Sequence, residues 1–365
     1  MKILCDRQNL QDAFSVVGCI PPQKTPKPIV QNVLLRASDD QIVFFATDFE
    51  LSARVTLDAV KVVRPGEVLL PAKETAALLR ELSEPTLSLE SEEHRCKIES
   101  GSGEFVLVGD DPNEFPAEPS FDGTRTFTVP SAVFLEMVRR TSFAAAREET
   151  RYAINGLLLD YDAGHLRLVG TDGRRLALTA AEIEGGDEPA RAVVPIRTLQ
   201  SLLKAVGDDG DQDLEITLGA SQIAFSLGDV EMISQLLENR FPAYEQVIPK
   251  VADSTIEVDR GLLEKNLRRV AVLSSGDVRM VRFEFKSSSV ELSAESSGVG
   301  RADLSMDASV DGNGGKISFN PDYLLDALKV SDLETIRIDM TDDATPARFS
   351  LGENYTYVLM PISGS

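Results

Sequence analysis

The sequence predicts an α+β protein of three similar modules, each with two helices packed on antiparallel sheet. Segments with one common pattern recur at intervals of 124 to 126 residues. Between them, stretches of alternating apolar and polar residues, typical of strands, outnumber helical stretches. With 365 residues and 42% hydrophobic residues, the chain is long enough for two or three domains with cores of their own.

The first recurring segment is a strand, a proline and an amphipathic helix. It occurs as VLLPAKETAALLREL (68–82), AVVPIRTLQSLLKAV (192–206) and KISFNPDYLLDALKV (316–330). We expect Pro71, Pro195 and Pro321 in the first turn of a helix, where a missing N–H leaves no hydrogen bond unmade. This segment predicts one helix in each module.

A second series predicts the other helix of each module. KILCDRQNLQDAFSVV, TFTVPSAVFLEMVRRT and TIEVDRGLLEKNLRRVAVL each pass from a short strand into apolar residues at three- and four-residue spacing. A third series contains ATDFELSARV from residue 46, GTDGRRLALT from 170 and the weaker AESSGVGRAD from 294. The polar linkers EPSFDGTR and PKVADS then divide the chain into modules 1–123, 124–252 and 253–365.

Three further stretches predict antiparallel hairpins: QIVFFATDFELSARVTL, GLLLDYDAGHLRLVG and VRFEFKSSSVELSAE. Their alternation breaks at Thr-Asp, at Ala163-Gly164 and at the serine run, where we expect the turns. The apolar segment YVLMPI near the end of the chain predicts either a last strand that seals the third module or a sheet edge beside a groove.

Composition excludes several classes of function. Cys5, Cys19 and Cys96 have no metal-ligand spacing, and His94 and His165 lie apart in strand-like segments, so we expect free buried thiols and no metal. The chain shows no Walker A sequence, dinucleotide fingerprint or GxSxG elbow, and we expect no cofactor. It also shows no apolar run near 18 residues and no leader at MKILCDRQNL, which indicates a cytoplasmic protein.

The formal net charge of −22 argues against conventional nucleic-acid binding, which needs clustered cations. However, basic residues recur on equivalent predicted helices. Lys73 and Arg80 lie seven residues apart and share one helix face, as do Arg197 and Lys204 on the equivalent helix. The other predicted helices add Arg139, Arg140, Lys265, Arg268 and Arg269.

The turn GTDGRRLALT has two possible interpretations. Asp172 could act as an acid or base beside Arg175, which would make the chain an enzyme. Because ATDFELSARV shares only the Thr-Asp pair, local turn chemistry, in which the Asp accepts backbone N–H groups, is the simpler interpretation.

Together, the three-fold repeat, RYAINGLLLD before GTDGRRLAL, NRFPAYEQVIP, FNPDYLLDAL and the terminal YVLMPI resemble the bacterial DNA sliding clamps, the β subunits of DNA polymerase III. The resemblance covers essentially the whole chain. It implies a non-catalytic processivity factor, and a homodimer of two chains joined head to tail into a six-domain ring around double-stranded DNA. A ring holds DNA topologically and without sequence preference, so a mildly positive hole is compatible with an acidic exterior.

The resemblance also implies three sets of site residues. A cleft for short motifs of the polymerase III α subunit, the clamp loader and other replication and repair proteins would contain Ile154, Thr171, Gly173, Arg174, Arg175, Leu176, Pro242, Val247, Asn320, Tyr323, Val358, Met360, Pro361 and Ile362. DNA contacts would add Lys24, Arg151 and Tyr152 to the basic helices, and the dimer interface would use Phe105, Leu107, Val272 and Leu273.

The chain departs from the family pattern in ways that bear on partner preference. Arg174 stands where His is frequent, Gln246 where a basic residue is common, and SGS follows Ile362 where Arg-Leu is familiar. Ala153 and Glu148 replace an aromatic and a neutral residue near the expected DNA contacts. The rival interpretations are a repeat scaffold with no DNA role and an enzyme that uses Asp172 and Arg175.

Overall fold

The computed structural model of the chain repeats one order of elements three times: a strand, a helix, several strands, a helix and three strands. It describes residues 1–39, 41–58, 60–146, 152, 154–183, 188–207, 212–274, 279–296 and 298–362. The second repeat opens with a strand that begins at Gly123, and the third opens at Ser254. The limits of the three predicted modules remain a prediction.

The elements of the first repeat are β1 (Lys2–Asp6), α1 (Arg7–Val17), β2 (Asn32–Ser38), β3 (Gln41–Thr47), β4 (Leu51–Leu57), β5 (Lys61–Arg64), β6 (Gly66–Pro71), α2 (Ala72–Glu81), β7 (Thr86–Glu92), β8 (Arg95–Ser100) and β9 (Gly103–Val108). Those of the second are β10 (Gly123–Pro130), α3 (Ser131–Ser142), β11 (Gly156–Asp162), β12 (His165–Thr171), β13 (Arg175–Glu182), β14 (Ala190–Pro195), α4 (Ile196–Val206), β15 (Asp213–Gly219), β16 (Gln222–Leu227) and β17 (Val230–Gln235). Those of the third are β18 (Ser254–Asp259), α5 (Arg260–Ala271), β19 (Val281–Lys286), β20 (Ser289–Ser296), β21 (Gly300–Asp307), β22 (Ser309–Gly312), β23 (Gly315–Phe319), α6 (Pro321–Lys329), β24 (Thr335–Met340), β25 (Ala347–Gly352) and β26 (Tyr355–Leu359).

Short polar side chains begin several of these helices. Asp6 accepts a hydrogen bond from the backbone N–H of Asn9, and Asp259 accepts one from Leu262. Asn320 accepts one from Asp322 at the start of α6. Each cap satisfies a donor that has no partner within its helix, so the predicted changes from strand to helix have a local cause.

Two of the three recurring prolines differ in position from the prediction. Only Pro321 lies in the first turn of a helix, whereas Pro71 and Pro195 are the last residues of β6 and β14. A proline lacks the N–H that would continue a strand ladder, so it can end a strand as well as begin a helix.

The chain forms two compact units. The first is built mainly from Met1–Phe134 and Arg197–Leu236. It contains a five-stranded sheet in the order β5-β1-β7-β8-β9 and an eight-stranded sheet in the order β10-β15-β16-β17-β4-β3-β2-β6. Helix α1 packs against β4 and α2. All the strand pairs described in the first unit are antiparallel.

The second unit is built mainly from Leu135–Ile183, Pro189–Ile196 and the chain from Leu237 onward. Its nine-stranded sheet has the order β14-β11-β12-β13-β26-β25-β24-β18-β22, and its four-stranded sheet has the order β21-β20-β19-β23. Helix α5 packs against α6 and against β20 and β21. A large apolar core that includes Phe283, Phe319 and Phe349 lies in this unit.

The three predicted hairpins are confirmed, because β3 pairs with β4, β11 with β12 and β19 with β20. The tight turn between β11 and β12 is made by Ala163 and Gly164, both with positive φ. Two further pairings join distant parts of the chain. Strand β4 pairs with β17, and β13 pairs with β26.

The three cysteines are free thiols, with Cys5 and Cys96 buried and Cys19 half-buried. Burial raises the pKa of Cys5 and of Cys96 to about 12. Within the part of the chain that the structure describes, no group of His, Cys, Asp and Glu is arranged to hold a metal ion. None of the helices described is both long and apolar enough to span a bilayer.

Candidate functional site

The turn between β12 and β13 is held by the side chains of Thr171 and Asp172. The Thr171 hydroxyl donates to the carbonyl oxygen of Arg175 at 2.7 Å and accepts the N–H of Gly173 at 3.1 Å. Asp172 Oδ1 accepts the backbone N–H groups of Arg174 and Arg175 at 2.9 and 3.0 Å. The predicted turn chemistry of the Thr-Asp pair is confirmed.

The Arg175 side chain is buried, with 8% of its surface exposed, and each of its three nitrogens donates a hydrogen bond. Its guanidinium donates to Asp172 at 3.0 Å, to Asp326 on α6 at 2.8 Å and to the carbonyl oxygen of Phe143 at 2.6 Å. It also lies 4.4 Å from the ring centre of Tyr323. Burial would lower the pKa of Arg175, but the hydrogen bond to Asp326 and the nearby Tyr357 and acidic groups raise it.

These contacts determine what Arg175 can do. Each of its terminal nitrogens already donates to a protein oxygen, so it fixes the turn to α6 and has little capacity to bind a ligand. Its neighbour Arg174 is exposed, and its guanidinium has no ion pair among the described residues. Arg174 is therefore the cation of this turn that can reach a ligand.

Residues Tyr357–Leu359 of the segment YVLMPI are the end of β26, which lies between β13 and β25 inside the nine-stranded sheet. The segment is therefore not at a sheet edge, but it does lie beside a groove, as the second interpretation expected. In the ladder, Leu176 lies opposite Val358, and the N–H of Met360 donates to the carbonyl oxygen of Arg174 at 2.9 Å. This pairing brings the turn of residues 171–175 beside the terminal segment.

A cavity of about 210 Å³ opens beside this ladder. Its lining is Tyr152, Ile154, Thr171, Gly173, Arg174, Arg175, Leu176, Pro242, Ala243, Tyr244, Val247, Val358 and Met360. Buried Leu176 and Val358 form part of the floor and belong to an apolar cluster with Leu158 and Val169. Val247 and Met360 are 47% and 42% exposed, so two large apolar side chains stand open to solvent at the cavity.

The structure brings together ten of the fourteen residues expected in the cleft. The other four, Asn320, Tyr323, Pro361 and Ile362, do not line the cavity. Asn320 caps α6, and Tyr323 packs on the guanidinium of Arg175. Ile362 donates its N–H to the carbonyl oxygen of Ser318 at 2.8 Å, which anchors the terminal segment beyond Pro361.

Three lining residues were not expected in the cleft. Tyr152 was assigned to DNA contact, and Ala243 and Tyr244 were not assigned. The stretch NRFPAYEQVIP contains both of the latter, and the short 3-10 turn Tyr244–Gln246 turns them toward the cavity. Burial raises the pKa of Tyr244 to about 12, with the neighbouring carboxylate of Asp160 adding to the shift.

Most of the basic residues expected at DNA are exposed, namely Lys24, Lys73, Arg80, Arg139, Arg197, Lys204, Lys265, Arg268 and Arg269. Tyr152 is also exposed, and Arg151 lies outside the described residues. Some of these cations have protein partners. Arg140 is half-buried between Glu136 and Asp332, and Arg268 pairs with Glu264 at 2.6 Å.

Arg197 also has protein partners. Its guanidinium donates to the carboxylate of Asp48 and, at 2.6 Å, to the carbonyl oxygen of Ile20. The Asp48 side chain is nearly buried, so Arg197 compensates its charge. Part of this guanidinium is thus engaged within the protein, although its side chain is 46% exposed.

The residues expected at the dimer interface lie on or near two sheet edges. Strand β9 ends the five-stranded sheet, with Phe105 exposed and Leu107 half-buried along it. Strand β21 ends the four-stranded sheet. Val272 is exposed and Leu273 half-buried just after α5, and a Cβ on Gly300, at the start of β21, would lie 3.9 Å from Leu273.

Three family models of the DNA polymerase III β subunit match the chain: the N-terminal domain at residues 1–119, the central domain at 128–243 and the C-terminal domain at 245–363. The chain is 31% identical to the β sliding clamp of Chlamydia pneumoniae, with 99% of both chains covered. It is 29% identical to that of Salmonella typhimurium, with 99% of this chain and 100% of the other covered.

Solved structures show the same fold. The DNA polymerase III β subunit of Pseudomonas aeruginosa superimposes with a TM-score of 0.94 at 27% identity, and that of Thermotoga maritima with 0.95 at 26%. Both comparisons cover 100% of each chain. The fold is thus that of the ring-forming clamp class. The chain belongs to the DNA polymerase III β subunits, the bacterial sliding clamps, whose members are non-catalytic processivity factors.

Proposed function

We propose that two copies of this chain close into a ring around double-stranded DNA and tether proteins to it through the cavity beside Leu176 and Val358. The partners would be the polymerase III α subunit, the clamp loader and other replication and repair proteins with clamp-binding motifs. This role places the protein in the cytoplasm. The observation that carries the proposal is an apolar cavity built where the terminal strand pairs with β13.

The cavity suits an extended peptide with an apolar anchor. Its floor of Leu176 and Val358 can receive a Leu or Phe side chain, with Val247 and Met360 covering it. Arg174 supplies a donor for the peptide backbone or for an acidic side chain. In support, a structure of the Pseudomonas aeruginosa clamp bound to griselimycin is 27% identical to this chain, with a TM-score of 0.95.

The dimer would use the two open sheet edges. A strand edge presents unpaired N–H and C=O groups, which favours addition of another strand. In a head-to-tail dimer, β9 of one protomer would meet β21 of its partner, with Phe105 and Leu107 packed on Val272 and Leu273. Such a heterologous contact forms a ring when its rotation closes.

The charge distribution supports topological retention of DNA. A net charge of −22 opposes tight binding to phosphates, while exposed lysines and arginines on α2, α3, α4 and α5 offer weak contacts. Weak contacts to the backbone carry no sequence information and permit sliding. A ring needs no stronger interaction than this.

The decisive experiment measures retention on nicked circular DNA before and after linearisation, after loading by the clamp loader. The protein should remain on circles in high salt, which screens exposed charge pairs, and should run off linear DNA. Linear DNA with both ends blocked by bound protein is the control and should restore retention. Equal retention on circular and open linear DNA would indicate ordinary phosphate binding, and no retention on any form would favour a scaffold without a DNA role.

A further inference from the structure

The first unit contains a second copy of the Thr-Asp turn. Thr47 donates to the carbonyl oxygen of Leu51 at 3.3 Å and accepts the N–H of Phe49 at 3.0 Å. Asp48 accepts the N–H groups of Glu50 and Leu51 at 3.0 and 2.8 Å. These are the hydrogen bonds of residues 171–175 at equivalent positions.

The surrounding ladder is also equivalent. Ser52 lies opposite Ile233 in the β4–β17 ladder, as Leu176 lies opposite Val358. The N–H of Gln235 donates to the carbonyl oxygen of Glu50 at 2.8 Å, matching the bond from Met360 to Arg174. A cavity lies beside this turn too, and its lining includes Phe49, Ser52, Ile233 and Gln235.

The two cavities differ at one turn position above all. Phe49 has a φ of 79° and Gly173 a φ of 84°, so the backbone is nearly the same. Side chains rarely adopt this left-handed conformation, yet the first turn carries a phenyl ring that is 51% exposed and lies under the ammonium group of Lys27 at 4.3 Å. At Gly173, a Cβ would meet nothing within 4 Å.

The cavities differ in size and floor as well. The cavity beside Phe49 has about 120 Å³, against about 210 Å³ beside Gly173. Ser52 and Gln235 stand where the larger cavity has Leu176 and Met360. A Leu or Phe anchor would therefore find less apolar surface and less room in the first unit.

We propose that the residue after the turn aspartate decides which of the two equivalent cavities admits a partner peptide. Gly173 adds no side chain to the lining of the larger cavity, whereas Phe49 adds a phenyl ring to the lining of the smaller one. Of these two cavities, the one beside Gly173 then takes the peptide. This inference rests on the proposed peptide-binding function of the cavity beside Leu176 and Val358.

The test enlarges the side chain at Gly173 stepwise and measures the affinity of a clamp-binding peptide derived from the polymerase III α subunit by calorimetry. The series is Gly173→Asn, Gly173→His and Gly173→Phe, since Asn and His tolerate positive φ and Phe49 shows that this turn accommodates Phe. Affinity should fall with side-chain size, by about tenfold or more for Gly173→Phe. Thermal unfolding identifies the variants that are folded.

The outcomes separate the inference from the proposed function. If the wild-type chain binds no peptide, the proposed function fails. If it binds and the folded variants bind equally well, the role of Gly173 is refuted. Binding of two peptides per wild-type chain would also refute it, because the first unit would then hold a working site despite Phe49.

Discussion

The backbone N–H of Met360 donates to the carbonyl oxygen of Arg174 at 2.9 Å, joining the terminal segment to the turn that borders the cavity. The two residues are far apart in sequence, yet both line the same site. The Met360 side chain is also exposed there. Met360 therefore holds the turn through its backbone and offers its side chain as contact surface in the cavity.

Deleting residues 360–365 should abolish binding of polymerase-derived peptides while the dimer persists. The deletion removes the Met360 wall and the hydrogen bond to Arg174, and loss of a central anchor pocket costs about 2 kcal/mol, roughly thirtyfold in affinity. Calorimetry measures the affinity, and sedimentation measures the dimer. Deleting only residues 363–365 is the control and should leave binding unchanged. Full affinity in the longer deletion would place the docking site elsewhere.

Arg174→Gln should weaken peptides that carry an acidic residue beside the apolar anchor by about three- to fivefold, as expected for one exposed charge pair. Peptides in which Asn replaces that acidic residue should lose little affinity. Fluorescence anisotropy at low and high salt measures the difference, which should shrink as salt screens the charge. Arg282→Gln, on β19 away from the cavity, is the matched control. Equal losses for acidic and neutral peptides would contradict this role of Arg174.

Phe105→Arg and Leu273→Asp should each give folded monomers. Each variant introduces a charge where the proposed interface buries apolar surface, and an uncompensated buried charge is costly. Sedimentation velocity measures the oligomeric state, and circular dichroism shows that the chain is folded. Val251→Asp changes an apolar residue that is 76% exposed and lies outside the proposed interface, and this variant should remain dimeric. A dimer that persists in both interface variants would contradict the proposed contact.

Asp339→Asn should destabilise the second unit by about 2 kcal/mol, because it leaves two arginines near the buried position without their carboxylate. Asp339 is 1% exposed and accepts hydrogen bonds from Arg348, Arg337 and Thr255. Burial would raise its pKa, but these hydrogen bonds together with the charge of Arg348 lower it.

The sign of the pH dependence follows from that shift. A carboxylate with a lowered pKa in the folded state stabilises the protein above its unfolded pKa, near 3.9, and loses this contribution as pH falls through the folded value. Urea unfolding should therefore separate wild type from Asp339→Asn at pH 7 and bring them together in acid. Asp311→Asn, an exposed change on β22, is the control. If the difference in free energy of unfolding between wild type and Asp339→Asn stays constant down to pH 2, the carboxylate charge contributes nothing to stability.

Local patterns in the sequence were sufficient for the three-fold repeat, the hairpins and the Thr-Asp turn. These features depend on contacts between near neighbours, such as the N–H groups that Asp172 accepts from Arg174 and Arg175. Most residues of the cleft were expected from the resemblance to the clamp family. The same reasoning placed Tyr152 at DNA and left Arg175 free to bind peptide, because sequence alone shows no partner for either side chain.

Only the tertiary structure decided which distant strands meet. Strands pair through backbone N–H and C=O groups, and every residue except proline has both. The pairing of β4 with β17 and of β13 with β26 therefore leaves no signature in the local sequence. Those ladders create both cavities, bury Arg175 against Asp326 and place Gln235 and Met360 at corresponding positions. The sequence determined the helices, strands and turns. Only the fold determined that one of the two similar turns borders an open, apolar cavity, because the floor and the wall of that cavity come from strands distant in sequence.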